Sequence, residues 1–374
     1  MAATAAILVG IGLARFSYTP LIPALVTAQW FSPADAAYLG AANLAGYLVG
    51  AMFTARATAR MNAAHVLRAM MLVVAVSFFA SAFPLSFAWF FLWRFAAGVA
   101  GAALMVLAAP TALRVVPPER QGFASGIVFM GVGIGIAASG TLVPLLVRQG
   151  LVAAWCGLGA LVLALTIAAW GGWPREAAAA QALPHARKAS LGPALVALFI
   201  AYALNAAGLV PHMVFLVDFI ARGLGQGLDA GARYWVLFGV AAMAGPVMLG
   251  RLADRIGFAR CVRMAYALQA AMIVLPALVS STLALVLSCL VVGAYVPAIT
   301  MLVLGRIREL VPQDASLRKA AWSVATVAFA LGQAAGAYGF SFLFAHQGSY
   351  ALLYALGGAA LALSLAIDAV VARR

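Results

Sequence analysis

The chain has 374 residues, of which 66% are hydrophobic and 9% charged, and its formal net charge is +14. A soluble globular domain carries about half apolar and about a quarter charged residues, so this composition excludes a soluble protein. Inside a lipid bilayer every backbone N–H and C=O must be paired internally, which leaves only helices or a closed barrel. The apolar runs, such as 69–82 and 351–367, do not alternate with polar residues and therefore predict helices.

Twelve apolar segments long enough to cross a bilayer follow one another along the chain. In order they are 3–27, 36–55, 65–83, 87–113, 121–147, 151–173, 192–217, 232–250, 261–280, 283–305, 320–344 and 349–371. The connections alternate in charge: one set holds 18 of the 23 Lys and Arg residues, and the other holds only Arg148, Arg222 and Arg233. Because basic loops stay in the cytoplasm, we predict a multi-pass inner-membrane protein with both termini cytoplasmic.

The most polar connection, 174–191, lies near the middle of the chain. We predict that it is a cytoplasmic linker between an N-terminal six-helix bundle (1–173) and a C-terminal one (192–374). The two halves contain matching segments, since Arg94–Gly98 in span 4 corresponds to Cys289–Gly293 in span 10 at an offset of 195. Parallel repeats of this kind place a cavity between the halves, near the membrane midplane.

Three motifs resemble those of a known transporter superfamily. The connection after span 8 reads Gly250-Arg-Leu-Ala-Asp254-Arg255-Ile-Gly257-Phe-Ala-Arg260, and span 4 holds Arg94-Phe-Ala-Ala-Gly98. They resemble the signature loop and the Arg-and-glycine motif of the major facilitator superfamily. The opening run, Gly10-Ile-Gly12-Leu-Ala-Arg15-Phe-Ser-Tyr18-Thr-Pro20-Leu-Ile-Pro23, is similar to the YbfB-like branch of that superfamily. The resemblance implies secondary transport and the major facilitator fold, an all-α membrane protein of twelve transmembrane helices in two parallel six-helix repeats.

The resemblance also implies a gating latch in the connection after span 8. Its residues are Gly250, Asp254, Arg255, Gly257 and Arg260. In an outward-open conformation Asp254 is expected near the start of span 5, around 119–122, where the helix dipole and free N–H groups favour a carboxylate. The first-half counterpart has Thr54 where an acidic residue is expected, so a weaker contact is expected there. The alternative is a solvated loop that serves only topology.

Arg15 lies in the middle of span 1, where an unpaired guanidinium is costly, so its side chain is expected to face the bundle interior. None of the nine acidic residues falls clearly in the middle of a predicted span, which leaves Arg15 without an evident carboxylate partner. Either backbone carbonyls and water pair with Arg15, or an anionic substrate does. Arg94, in span 4, is expected to add a second positive charge to the cavity.

In the second half, His212 matches Arg15 at an offset of 197, and Asn205 lies on the same helix face seven residues earlier. Histidine changes its charge near neutral pH, so His212 is a candidate for coupling protons to transport. The alternative is a hydrogen-bonded core residue. Further polar residues, on spans that line the cavity in the resembling family, complete the candidate substrate site or serve only in packing: Tyr18, Asn43, Tyr47, Trp322 and Gln333.

These residues favour a secondary active transporter that moves a small organic anion, such as a monocarboxylate, by alternating access with proton coupling. The alternative is an exporter of amphipathic drug-like compounds. An enzyme is disfavoured because the spans hold no His-x-x-x-His, Asp-Asp or Ser-His grouping, and the chain has no nucleotide-binding P-loop. The three cysteines lack metal-ligand spacing, so we expect no metal or cofactor. The expected partners are the substrate, protons and membrane lipid, with no nucleic acid, and the protein is expected to be a monomer.

Overall fold

The computed structural model describes residues 1–58, 61–113, 116, 121–173, 192–311 and 314–371. Every regular element in this part of the chain is helical, and twelve helical spans are long and apolar enough to cross a membrane. They are α1 (Ala2–Thr27), α2 (Pro33–Thr58), α3 (Ala63–Ala80), α4 (Phe87–Leu113), α5 (Gln121–Val147), α6 (Leu151–Ala169), α7 (Pro193–Gly223), α8 (Leu228–Ile256), α9 (Phe258–Leu278), α10 (Thr282–Leu310), α11 (Ala315–Gln347) and α12 (Tyr350–Val371). The prediction of an all-α protein with twelve spans is confirmed.

The first span, α1, is interrupted in its middle. It consists of an α-helical segment, Ala2–Ile7, a π-helical segment, Leu8–Leu13, and a second α-helical segment, Tyr18–Thr27. Between the last two, the Ser17 hydroxyl donates to the Leu13 carbonyl at 2.6 Å. Pro20 has no N–H and is best tolerated in the first turn of a helix, which fits a new segment beginning at Tyr18. The interruption contains Arg15.

The seventh span, α7, is interrupted as well. An α-helix, Pro193–Gly208, is followed by π-helical Pro211–Phe215, a short helical stretch, Leu216–Asp218, and π-helical Phe219–Gly223. Pro211 lacks the N–H that would continue the α-helical pattern. The span was predicted to end at residue 217, before the charged Asp218, whereas the helix continues to Gly223. Asp218 therefore lies inside α7, near its end, rather than in the connection that follows.

The connection between α8 and α9 is much shorter than the predicted loop. Only Gly257 separates the two helices, and its φ of 89° lies in the left-handed region that favours glycine. The motif Gly250–Arg260 is therefore the end of one helix, a one-residue turn and the start of the next. The predicted loop was wrong because its charged residues lie in the last turns of α8 and the first turn of α9, where long arginine side chains can reach the membrane surface.

The chain packs as two compact units. The first comprises Met1–Ala182 and Val214–Met243, and the second comprises Leu183–Met213 and Ala244–Arg374. The predicted division into two six-helix bundles joined by 174–191 remains a prediction, because that linker lies outside the described residues.

Glycines allow close backbone approach inside the first unit. A Cβ atom added at Gly12 in α1 would lie 2.8 Å from the carbonyl oxygen of Gly131 in α5. A Cβ atom at Gly10 would lie 3.3 Å from the Cα of Gly101 in α4. Small residues at helix interfaces are how membrane helices gain van der Waals contact without a hydrophobic driving force. The interrupted part of α1 is thus held closely between α4 and α5.

Candidate substrate-binding site

Arg15 lies at the interruption of α1 and makes no hydrogen bond through two of its buried nitrogens. Both Nε and Nη2 lack a partner among the described residues. The guanidinium carbon lies 5.5 Å from the centre of the Phe16 ring and 5.3 Å from that of Tyr47 in α2. Aromatic faces stabilise the charge by about 0.5–2 kcal/mol, but they leave the N–H groups in the guanidinium plane unpaired.

Arg94, by contrast, is held in place. Its side chain is nearly fully buried, and Nη1 donates to the carbonyl of Ala14 at 2.8 Å. The guanidinium carbon lies 4.2 Å from the centre of the Tyr18 ring, while the Tyr18 hydroxyl donates to the Ala36 carbonyl at 2.9 Å. The Arg94 Nε is also without a partner in the described part of the chain. Arg94 therefore ties α4 to the residue immediately before Arg15.

Asn43 completes this arrangement from α2. Its Nδ2 donates to the backbone carbonyl of Arg94 at 3.1 Å, and the residue is buried. The structure thus brings together all five residues that the sequence analysis proposed for the first half of the site: Arg15, Tyr18, Asn43, Tyr47 and Arg94. Arg15 and Arg94 are near enough for their like charges to interact. No carboxylate forms an ion pair with either of them within the described ranges.

A buried ion pair that the sequence analysis missed belongs to the same unit. Asp218 is 1% exposed, and its two carboxylate oxygens accept from Arg222 Nε at 2.5 Å and Arg222 Nη2 at 2.8 Å. The sequence placed Arg222 in an external loop, but opposite charges four residues apart are neighbours on a helix and compensate each other. That spacing was the signal that could have found the pair.

The residues proposed for the second half of the site are buried within the second unit. His212 Nε2 lies 2.6 Å from the hydroxyl of Ser288 in α10, which in turn donates to the Met272 carbonyl in α9 at 2.6 Å. Pro276 has no N–H, so it cannot bond the Met272 carbonyl four residues earlier. The Tyr354 ring packs edge-on against the imidazole with centres 5.3 Å apart.

Asn205 and Gln333 are also fully enclosed. Asn205 Nδ2 donates to Gln269 Oε1 in α9 at 2.7 Å, and Gln333 Nε2 in α11 lies 3.4 Å from the sulfur of Met213. Asn205 Oδ1, Gln269 Nε2 and Gln333 Oε1 have no partner among the described residues. A substrate role for His212, Asn205 and Gln333 remains a prediction.

Trp322 is separated from these residues along α11. It is half-buried against a core cluster that includes Tyr202 and Tyr266. The structure does not bring it into hydrogen-bonding contact with His212 or Gln333. Its substrate role also stays a prediction.

The proposed gating residues lie where α8 ends and α9 begins. Asp254, Arg255 and Arg260 are exposed, and the region expected to receive Asp254, 119–122, lies outside the residues whose side chains are described. The carboxylate at the start of α9 is that of Glu309, which accepts from Phe258 N at 2.8 Å and from Ala259 N at 3.2 Å. Thr54 donates to the Gly50 carbonyl within its own helix. The latch itself remains a prediction.

Comparison with known proteins identifies the family. Residues 7–369 match the family model described as "Uncharacterised MFS-type transporter YbfB". The chain belongs to this family. A member of the YbfB family is a multi-pass transporter of the major facilitator type rather than an enzyme, as the sequence predicted. No curated protein matches this YbfB-family chain.

A solved structure supports the fold. The YbfB-family chain is similar to the crystal structure of a bacterial homologue of the human lysosomal transporter Spinster, in an inward-facing and occupied conformation. The TM-score is 0.75 at 17% sequence identity, and the alignment covers 100% of this chain and 96% of the other. At this identity the match shows the major facilitator fold alone.

Proposed function

We propose that this YbfB-family transporter carries a small organic anion, with a monocarboxylate as the simplest case, by alternating access. The observation that supports the proposal is Arg15, with two buried N–H groups and no partner in the described part of the chain. A charged residue inside a span is costly unless something pairs with it. An anionic substrate would supply the missing acceptors.

The charges around Arg15 favour an anion over a cation. Arg94 adds a second positive charge, and neither arginine forms an ion pair with a described acidic residue. The buried carboxylate in the same unit, Asp218, is already paired with Arg222 through both oxygens. The interior of the first unit is therefore positive before the substrate arrives, which attracts anions and repels cations.

Export of amphipathic drug-like compounds is the second candidate. The aromatic rings beside Arg15, Phe16 and Tyr47, would suit an apolar substrate body. A cationic drug would need a free carboxylate, and Asp218 is not one. We therefore propose that the apolar surface receives the body of an organic acid.

We further propose an inner-membrane location with both termini cytoplasmic, a monomeric transporter and protons as the coupling ion.

The test is a thermal-shift screen of the purified protein against organic acids and lipophilic cations, followed by uptake of the stabilising acids into proteoliposomes. We expect Arg15→Lys to abolish most uptake while the protein still folds. Lysine keeps the positive charge but lacks the two parallel N–H groups of the guanidinium. Arg148→Gln is the matched control, since Arg148 lies in the same unit but is exposed beside Asp229. Full uptake by Arg15→Ala, or stabilisation by cations alone, would exclude the anion site.

A further inference from the structure

Arg222 shows how this protein binds a carboxylate. Its Nε and Nη2, which lie on one edge of the guanidinium, each donate to one oxygen of Asp218, at 2.5 Å and 2.8 Å. This side-on arrangement matches two parallel N–H groups to the two oxygens of a planar carboxylate. It is complete, because both oxygens and both donors on that edge are paired.

Arg15 presents the same edge without an acceptor. Its unpartnered buried atoms are again Nε and Nη2. The guanidinium carbon lies over the Phe16 and Tyr47 rings, and no described atom accepts from this edge, which leaves the edge available for a polar contact. Leaving a buried donor unsatisfied costs about 1–3 kcal/mol, and Arg15 has two such donors. This cost argues against a purely structural role for Arg15.

Arg94 is constrained where Arg15 is not. Its side chain is bonded to the Ala14 carbonyl, its guanidinium lies on Tyr18, and its own carbonyl accepts from Asn43. It is 3% exposed. The bond to Ala14 fixes the peptide next to Arg15, at the point where α1 is not α-helical.

We propose that the two arginines have separate roles. The Nε and Nη2 edge of Arg15 binds the substrate carboxylate, and Arg94 is a positioning residue that holds the interruption of α1 so that this edge is presented. The inference rests on the proposed function and narrows it to substrates that carry a planar carboxylate, read side-on by one arginine. Neutral amides of the same shape are excluded, because an amide offers one acceptor and places an N–H against the second donor.

The first measurement is the thermal stability of the full-length protein without ligand. Arg94→Gln removes a charged hydrogen bond to Ala14 and should lower the melting temperature by roughly 3–6 °C. Arg15→Gln removes an unpaired buried charge and should leave the melting temperature equal or higher. The control Arg148→Gln should leave it unchanged. If Arg15→Gln is destabilised as much as Arg94→Gln, Arg15 is held by the protein and the separation of roles is overturned.

The second measurement is the binding of benzoate, with benzamide as its neutral counterpart. We expect benzoate to bind the wild type and benzamide not to. Arg15→Lys should raise the benzoate dissociation constant roughly ten- to hundredfold, since one of two charged hydrogen bonds is lost. Arg94→Lys can still donate to Ala14, so its benzoate dissociation constant should stay within about threefold of the wild-type value. Arg94→Gln lacks the charged donor and should bind benzoate more weakly than Arg94→Lys.

The outcomes separate the inference from the function on which it rests. Benzoate binding that is equally strong in Arg15→Lys, or lost equally in Arg94→Lys, overturns the separate roles and leaves anion transport intact. If no carboxylate binds the wild type, the proposed function itself falls. The contrast in melting temperature then still decides whether Arg94 holds the interruption of α1.

Discussion

At the scale of single residues, a chain of hydrogen bonds in the second unit determines which nitrogen of His212 carries the proton. In the second unit, the hydroxyl of Ser288 donates to the Met272 carbonyl, so its oxygen is left to accept from His212. That geometry assigns the imidazole proton to Nε2, and Nδ1 then has no partner in the described part of the chain. The chain of hydrogen bonds from His212 to Met272 links α7, α10 and α9. It also provides a donor to the Met272 carbonyl, which Pro276 cannot bond because it has no N–H.

The histidine can be tested against its alternative role in proton coupling. A second proton on His212 would sit on Nδ1 without an acceptor, so we expect His212→Gln to keep the pH dependence of uptake over roughly pH 5 to 8. Glutamine retains an N–H for Ser288. Ser288→Ala, which leaves the His212 N–H and the Met272 carbonyl unpaired, should destabilise the protein by about 1–3 kcal/mol. A flattened pH profile in His212→Gln would instead establish the coupling role that the sequence suggested.

At the scale of secondary structure, α1 and α7 are the two spans with π-helical segments among the described residues, and they hold matching positions in the two halves of the sequence. Interrupted spans at equivalent positions of a repeat are where transporters commonly place binding sites. The prolines and glycines of α1 were visible in the sequence, but its division into three segments was not. Hydropathy measures how apolar a stretch of sequence is, and it carries no information about which carbonyl each backbone N–H bonds to.

The packing of α2 against α4 gives a prediction at this scale. A Cβ atom at Gly98 would overlap the backbone carbonyl of Asn43, whose side chain holds the Arg94 carbonyl. We expect Gly98→Ala to separate the two helices, lower thermal stability by about 1–3 kcal/mol and reduce uptake. Gly126→Ala is the matched control, because a Cβ there meets no atom within 4 Å. Equal stability of the two variants would show that the α2–α4 contact is looser than the structure indicates.

At the scale of the whole molecule, composition and loop charge were sufficient for the number of spans, because both depend on the lipid environment rather than on packing. They were insufficient for the charged residues near span ends. Asp218 and Arg222 compensate each other inside α7, and Arg251 and Arg255 belong to the last turns of α8. The pairing of Arg15 with Tyr47, or of Arg94 with Ala14, depends on tertiary contacts that no local pattern contains.

The predicted orientation can be measured by cysteine accessibility. In a variant without Cys156, Cys261 and Cys289, single cysteines are placed at Ala28, exposed after α1, and at Ala182 in the central connection. We expect a membrane-impermeant maleimide added to intact cells to label Ala28→Cys and to reach Ala182→Cys only after permeabilisation. The reverse pattern would invert the assigned topology, and labelling of both in intact cells would contradict the five spans, α2 to α6, that lie between the two positions.

The π-helical segment before Arg15 has a consequence for how this transporter tolerates changes in length. A π-helical turn is an α-helical turn that contains one additional residue. Deleting one residue from Leu8–Leu13 would therefore let α1 close into regular α-helix with every backbone N–H still paired, and the protein should insert and fold. Because the π-helical turn already accommodates the additional residue, this deletion would leave the two parts of α1 facing the same neighbours, whereas a deletion from a regular α-helix would rotate them by roughly 100°. Both the glycine face that packs on α4 and α5 and the edge of Arg15 would then keep their directions, so such a variant should still insert, fold and transport.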